Sequence, residues 1–155
     1  MLCLVNRLEE SKLKDLGYII IGALTAYLIY SFLGFVLNTP MPIVAVMTES
    51  MIPTIYPGDA VVIYNYGNIS VGDIIVFDGA KAGCRVNFPI IHRVIEINPD
   101  GTIQTKGDYN LFQLPCEKSI KKEYIYGKSL IKIPFIGWPK KIVTDAIYTI
   151  LSKTR

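Results

Sequence analysis

The pattern of polar and apolar positions divides this chain into three blocks. Charged residues alternate with Leu and Val up to Asp15, and none follows until Glu49. Inside that gap, Leu16–Leu37 is apolar apart from scattered Gly, Thr, Ser and Tyr. As a helix rising about 1.5 Å per residue it measures about 33 Å, enough to cross a bilayer core of about 30 Å. Tyr18 and Tyr30 fall toward the two interfaces, and Pro40 and Pro42 stop a helix just beyond. A cleavable leader is the rival reading, but its apolar core spans about 7–15 residues and a small-residue cleavage site follows it. This stretch is longer, and Asn38-Thr39-Pro40 makes a poor site. The expectation is a retained transmembrane helix over residues 16–38.

From residue 39 the apolar runs shorten and are broken by Gly, Pro, Asn and Asp. The alternation predicts strands at Ile43–Met47, Ala60–Tyr64, Ile74–Phe77, Pro89–Ile97, Thr102–Thr105 and Tyr124–Ile133. Val, Ile and Tyr dominate them and suit a pleated, half-buried surface. Asn98-Pro99-Asp100-Gly101 reads as a hairpin turn, and Gly58-Asp59, Gly72-Asp73 and Gly107-Asp108 read first as turn pairs. The predicted fold class is a mainly β domain over residues 39–139 behind one N-terminal transmembrane helix. In residues 140–155, Ile142, Val143, Ala146, Ile147, Ile150 and Leu151 share one helical stripe flanked by Lys and Arg. That segment is too short to span a bilayer. It lies in the membrane interface or caps the β domain, and the sequence leaves both open.

Charge sets the orientation. Arg7, Lys12 and Lys14 precede the apolar helix, and the first basic residue after it is Lys81. Under the positive-inside rule residues 1–15 are cytoplasmic, and the β domain faces the exterior of the cell membrane in a single-pass arrangement. Hydrophobic residues make up 51% of the 155 and charged residues 19%, which excludes a disordered chain. A net charge of +3, spread along the sequence, argues against nucleic acid. Three Cys with no Cys-x-x-Cys, and a single His, suggest neither a metal site nor a cofactor. Cys84 and Cys116 are both exterior in this layout and either pair or remain free thiols; closing such a loop is worth about 3–4 kcal/mol in the entropy model. Cys3 lies on the cytoplasmic, reducing side.

Three positions carry candidate chemistry. Ser50 follows the apolar run Val44–Met47, and Pro53 pushes Ile52 toward extended geometry, so the hydroxyl sits where the chain leaves a strand and turns. A Ser at a turn is ordinarily structural. His92 lies inside Ile90–Ile97, where period two sets Ile90, His92 and Val94 on one face and Ile91, Arg93 and Ile95 on the other. A ring among Ile and Val needs a hydrogen-bond partner and is ordinarily a satisfied core residue, but neutral imidazole is also the side chain best matched to proton transfer near neutral pH. Asp108 follows the strand that the hairpin folds back along the His strand, which brings it toward His92; alone it reads as a turn Asp.

Together these segments resemble the type I signal peptidases, in their archaeal and endoplasmic-reticulum branch. The resemblance rests on Ser50-Met51-x-Pro53-Thr54, Pro57-Gly58-Asp59, Gly72-Asp73-Ile74-Ile75, Ile91-His92-Arg93-Val94 and Lys106-Gly107-Asp108-x-Asn110. It continues through Gly127-Lys128 and Ile133-Pro134-x-Ile136-Gly137, so it covers about Ile43 to Gly137. Bacterial members have a Lys base where this chain has His92. A Lys must be desolvated to act as a base, whereas a His titrates near 6.5 and needs orientation more than desolvation.

The resemblance implies a membrane-anchored serine endopeptidase that removes signal peptides from secretory precursors. Ser50 would be nucleophile, His92 general base and Asp108 the orienting acid, with the Ser50 N–H and the Thr48 hydroxyl as oxyanion donors. Many archaeal members carry a second Asp several residues after the Lys-Gly-Asp motif. Here Leu111–Cys116 intervenes and the next acid is Glu117; of the two arrangements, Asp108 serving alone is favoured over Glu117 substituting. The implied partners are precursors with small residues at the cleavage site, the lipid bilayer and neighbours in the secretion translocon. A precursor binding extended along Ile43–Met47 would pair as an added strand. The alternative from another class is a non-catalytic, membrane-anchored β domain that binds a protein partner.

Overall fold

The computed structural model describes residues 2–136 together with Ile142 and Ile147. The predicted amphipathic segment 140–155 therefore lies almost entirely outside the described residues. The chain forms two units, Met1–Val36 and Leu37–Arg155.

The first unit is one helix, α1, Leu2–Val36. It begins well before the predicted residue 16, because the polar N-terminal stretch contains Leu, Glu, Lys and Arg but no Gly or Pro, and so propagates the same helix. Lys14–Val36 is long and apolar enough to cross a membrane. Ile19, Ile20, Ile21, Leu24, Leu28 and Phe32 all expose more than half of their surface, so apolar groups face outward around the helix. A helix that exposes apolar side chains on every side, over a length able to cross a bilayer, fits a single-pass membrane protein. Asn38 adopts φ 52° just past its end, and Pro40 follows.

The second unit is a six-stranded sheet in which every pairing is antiparallel. Its strands are β1 Ile43–Ala45, β2 Ala60–Tyr64, β3 Ile74–Asp78, β4 Pro89–Ile97, β5 Ile103–Lys106 and β6 Ile125–Ile133, in the order β1-β2-β6-β3-β4-β5. Both faces are covered, and the period-two alternation divides the core accordingly. Val76 and Ile91 join Val46, Met51, Ile55, Val61 and Ile63 in one cluster. Ile75, Phe77, Ile90 and Val94 join Ile103, Ile120 and Ile125 in the other.

The hairpin between β4 and β5 forms as its sequence predicts. Asn98 N–H donates to the Thr102 carbonyl at 2.8 Å, Gly101 takes φ 82°, and the Asp100 carboxylate accepts the Thr102 N–H at 2.9 Å. Gly58 and Gly72 both adopt φ 95° in the turns leading into β2 and β3, the turn role expected of their Gly-Asp pairs. Gly107 has no such left-handed backbone, and its reason lies in the site.

Candidate active site

β4 places His92 and Arg93 on opposite faces of the sheet, and each draws an acid to its own side. His92 is buried, with 4% of the residue's surface exposed. Its Nδ1 contacts Oε1 of Glu117, which is fully buried. With the carboxylate ionised and the ring neutral, Nδ1 is the donor and Nε2 the acceptor. The Ser50 hydroxyl lies 3.0 Å from that Nε2. Glu117 is satisfied further by the Thr105 hydroxyl, which donates to Oε1 at 2.9 Å, and by the Leu114 N–H, which donates to Oε2 at 3.0 Å. Thr105 pairs with Val94 across the β4–β5 ladder and so stands on the His92 face.

Asp108 is elsewhere, and here the structure departs from the sequence expectation. Its carboxylate meets the Arg93 guanidinium, Nε–H donating to Oδ1 at 2.8 Å and Nη2–H to Oδ2 at 2.7 Å. The Thr54 hydroxyl adds a bond to Oδ2 at 2.5 Å. The cause is parity. Lys106 pairs with Arg93 on the face opposite His92, and the turn after it delivers Asp108 to that face. The antiparallel return does bring Asp108 near the start of the His strand, but on the wrong side for the imidazole. The hydrogen bonds from Arg93 hold the Asp108 carboxyl below the ordinary aspartate range against the opposing effect of burial, and Asp108 raises Arg93 in turn.

Ser50 sits in the turn that follows β1, on a segment fastened by its neighbours. Met51 and Ile55 are buried in the core, and the Ile55 N–H donates to the Met51 carbonyl at 2.9 Å. The Ser50 carbonyl accepts the Tyr109 N–H at 2.9 Å, which ties this turn to the chain leaving β5. The Thr48 side chain is exposed, with its hydroxyl 3.3 Å from that of Ser50. Continuing the β4–β5 register by one residue sets Gly107 opposite His92. A Cβ there would stand 2.6 Å from the Ser50 carbonyl oxygen and 2.9 Å from His92 Nε2. The missing side chain leaves the space through which hydroxyl and imidazole meet.

Beside Ser50 and His92 opens a cavity of about 660 Å³, walled mainly by apolar groups of Val86, Phe88, Ile90 and Leu114. Cys84 and Cys116 line it as well and are joined as a disulfide, with a Cα separation of 5.2 Å. Sequence reasoning singled out Ser50, His92 and Thr48, which the fold brings together, and set Glu117 aside. The signal that points to Glu117 is face parity combined with its place next to a Cys. Arg93, Thr54 and Gly107 were visible only as parts of motifs.

Residues 16–125 match the sequence model of the family described as signal peptidase, peptidase S26. Curated relatives agree. The chain is 28% identical to the signal peptidase complex catalytic subunit SEC11 of Chaetomium globosum, over 85% of this chain and 79% of the relative. It is 31% identical to that of Colletotrichum graminicola, over 78% of this chain and 74% of the relative. With the Candida tropicalis protein of the same description it shares 30% identity, over 80% and 78% respectively. The chain therefore belongs to the signal peptidase family, peptidase S26, and is a peptidase that removes signal peptides.

Proposed function

We propose that Ser50, His92 and Glu117 carry out the cleavage of secretory precursors. The Ser50 hydroxyl attacks the scissile carbonyl while His92 Nε2 takes its proton. Glu117 holds Nδ1–H, selects the reactive tautomer and stabilises the imidazolium. His92 then returns the proton to the leaving amine, and water resolves the acyl-enzyme by the same route. The Ser50 N–H and the Thr48 hydroxyl face the oxyanion. Losing one such donor typically lowers kcat by about 10²–10³-fold, the loss expected of Thr48→Val. Asp108 is a positioning residue in this scheme: through Arg93 and Thr54 it clamps β4 to the segment that carries Ser50.

The observation that carries this reading is the unbroken line from Ser50 through both ring nitrogens of His92 to a buried carboxylate. Among the described residues β1 pairs only with β2, so its outer edge can accept an extended precursor as an added strand, and the apolar cavity can take side chains beside the scissile bond. Residues 1–15 lie in the cytoplasm, 16–38 span the cell membrane and 39–139 face the exterior, which the Arg7, Lys12 and Lys14 cluster supports. Lipid and the secretion translocon are the neighbours this layout implies.

In vitro cleavage of a model precursor tests the reading. Ser50→Ala and His92→Ala each lower kcat by about 10⁵–10⁶-fold without loss of fold. Wild-type rates from purified Ser50→Ala overturn the scheme.

A further inference from the structure

The proposed acid reaches His92 at the end of a loop fastened by hydrogen bonds, from the Gln113 amide to Gln104 Oε1 at 3.3 Å and to the Glu117 carbonyl at 3.1 Å, and by one disulfide. Between Gly107 and Cys116 the chain leaves the sheet, and Tyr109, Leu111 and Phe112 expose 65%, 87% and 82% of their surface. Yet Glu117, at the far end of this excursion, is fully buried under the imidazole. On its downstream side it is well anchored, since Ile120 and Ile103 exchange two backbone hydrogen bonds, at 2.8 and 2.9 Å. On its upstream side the residue in contact with the excursion is Cys116, bonded to Cys84. Cys84 belongs to the connection between β3 and β4. Its N–H donates to the Gly79 carbonyl at 2.8 Å, and the same connection runs directly into the strand carrying His92.

From this connectivity we propose that the Cys84–Cys116 disulfide is a positioning element of the active site, bracing the turn that carries Glu117 against the chain that carries His92. The proposal rests on the reading of Ser50, His92 and Glu117 as the catalytic group. It makes precursor cleavage depend on the oxidised bond. Both cysteines line the open cavity beside Ser50, so a small dithiol can reach them. In reduction, the dithiol gives two electrons and two protons and closes to its own cyclic disulfide, while the S–S bond breaks to two thiols. The excursion is then tethered only by hydrogen bonds, and the carboxylate loses its fixed place on Nδ1. Small misplacements in such a group cost up to about 10²-fold in rate.

The test compares oxidised full-length enzyme in detergent with the same enzyme reduced by a dithiol and with the Cys84→Ser/Cys116→Ser variant. Expected are a kcat lower by about tenfold or more, a KM changed far less, and recovery when the reduced enzyme is reoxidised. His92 is the only histidine, so its Nδ1–H proton gives a single imidazole NMR signal, present in the oxidised protein and lost or broadened without the disulfide. In Glu117→Gln, reduction should cost little more, because the group being positioned is already gone. An equal fold-loss in wild type and Glu117→Gln overturns the proposal, as does an unchanged kcat and Nδ1–H signal on reduction. Loss of the β circular dichroism on reduction overturns it too, since the bond would then be a staple of the whole fold. Failure of the catalytic reading is separate: it appears as cleavage by Ser50→Ala under oxidising conditions.

Discussion

His92 and Arg93 are neighbours in sequence and stand back to back in the sheet, so the two faces of β4 can be compared almost residue for residue. His92 on one face and Arg93 on the other each stand beside one carboxylate and one threonine hydroxyl. On the first, His92 meets Glu117 and Thr105; on the second, Arg93 meets Asp108 and Thr54. Burial separates them. The His92 and Glu117 side chains are 5% and 0% exposed, whereas those of Arg93 and Asp108 are 33% and 15% exposed. In the proposed mechanism the buried face surrounds a group that gains and loses a proton; the wetter face surrounds a guanidinium that stays charged. In that proposed mechanism the same chemical parts serve as a proton relay on one side and as a clamp on the other. The alternation of the pleat decides which acid goes where.

The largest effects should separate the two carboxylates. Glu117→Gln removes the group that selects the His92 tautomer, and a drop in kcat of about 10⁴-fold is expected with little change in KM. Asp108→Asn leaves the imidazole and its acid untouched, so the loss should be about tenfold, through the position of the Ser50 segment. Steady-state kinetics on one precursor decide between them. If Asp108→Asn proves as damaging as Glu117→Gln, the division of labour between the faces is wrong.

Gly107 lies where the β5 chain passes the first face, and Gly107→Ala sharpens the comparison at intermediate size. The added methyl meets the Ser50 carbonyl oxygen, which is backbone and cannot swing aside, as well as His92 Nε2. Separating hydroxyl and imidazole by part of an ångström should cost about 10²-fold in kcat. The Arg93 face should be undisturbed, so the acid-dependence of stability described below should survive in this variant.

The sheet was largely legible because its alternation, turn residues and strand lengths agree. Ala60–Tyr64 and Pro89–Ile97 form with the predicted bounds, and the other predicted strands are displaced, shortened or lengthened by one or two residues. The helix was legible as an apolar segment but not at its start, since a polar run with good helix formers has no local stop signal. Ser50 and His92, singled out where chemistry and motif coincide, lie within hydrogen-bond distance in the fold. The carboxylate that meets the imidazole was not legible, because proximity along a hairpin does not specify a face. Choosing between Asp108 and Glu117 requires the β4–β5 register, and then the path of a loop that carries no periodicity of its own.

The smallest effect concerns the second face and its dependence on pH. Arg93 holds the Asp108 carboxyl below the ordinary aspartate value in the folded protein. The folded chain therefore binds fewer protons at this group than the unfolded chain does, and the linkage has a definite sign. The pair contributes fully above the ordinary aspartate value, near 3.9, and its contribution is lost as pH falls through the lowered folded value. Partial exposure keeps the contribution to about 1–2 kcal/mol. Urea unfolding of wild type and Asp108→Asn in detergent should show a constant gap from about pH 7 to 5. The gap should close in acid, as the wild-type carboxyl takes up the proton that the amide never needed. A gap that persists at pH values where Asp108 is protonated would mean that the clamp works through shape rather than charge, and the two faces would then differ in more than burial.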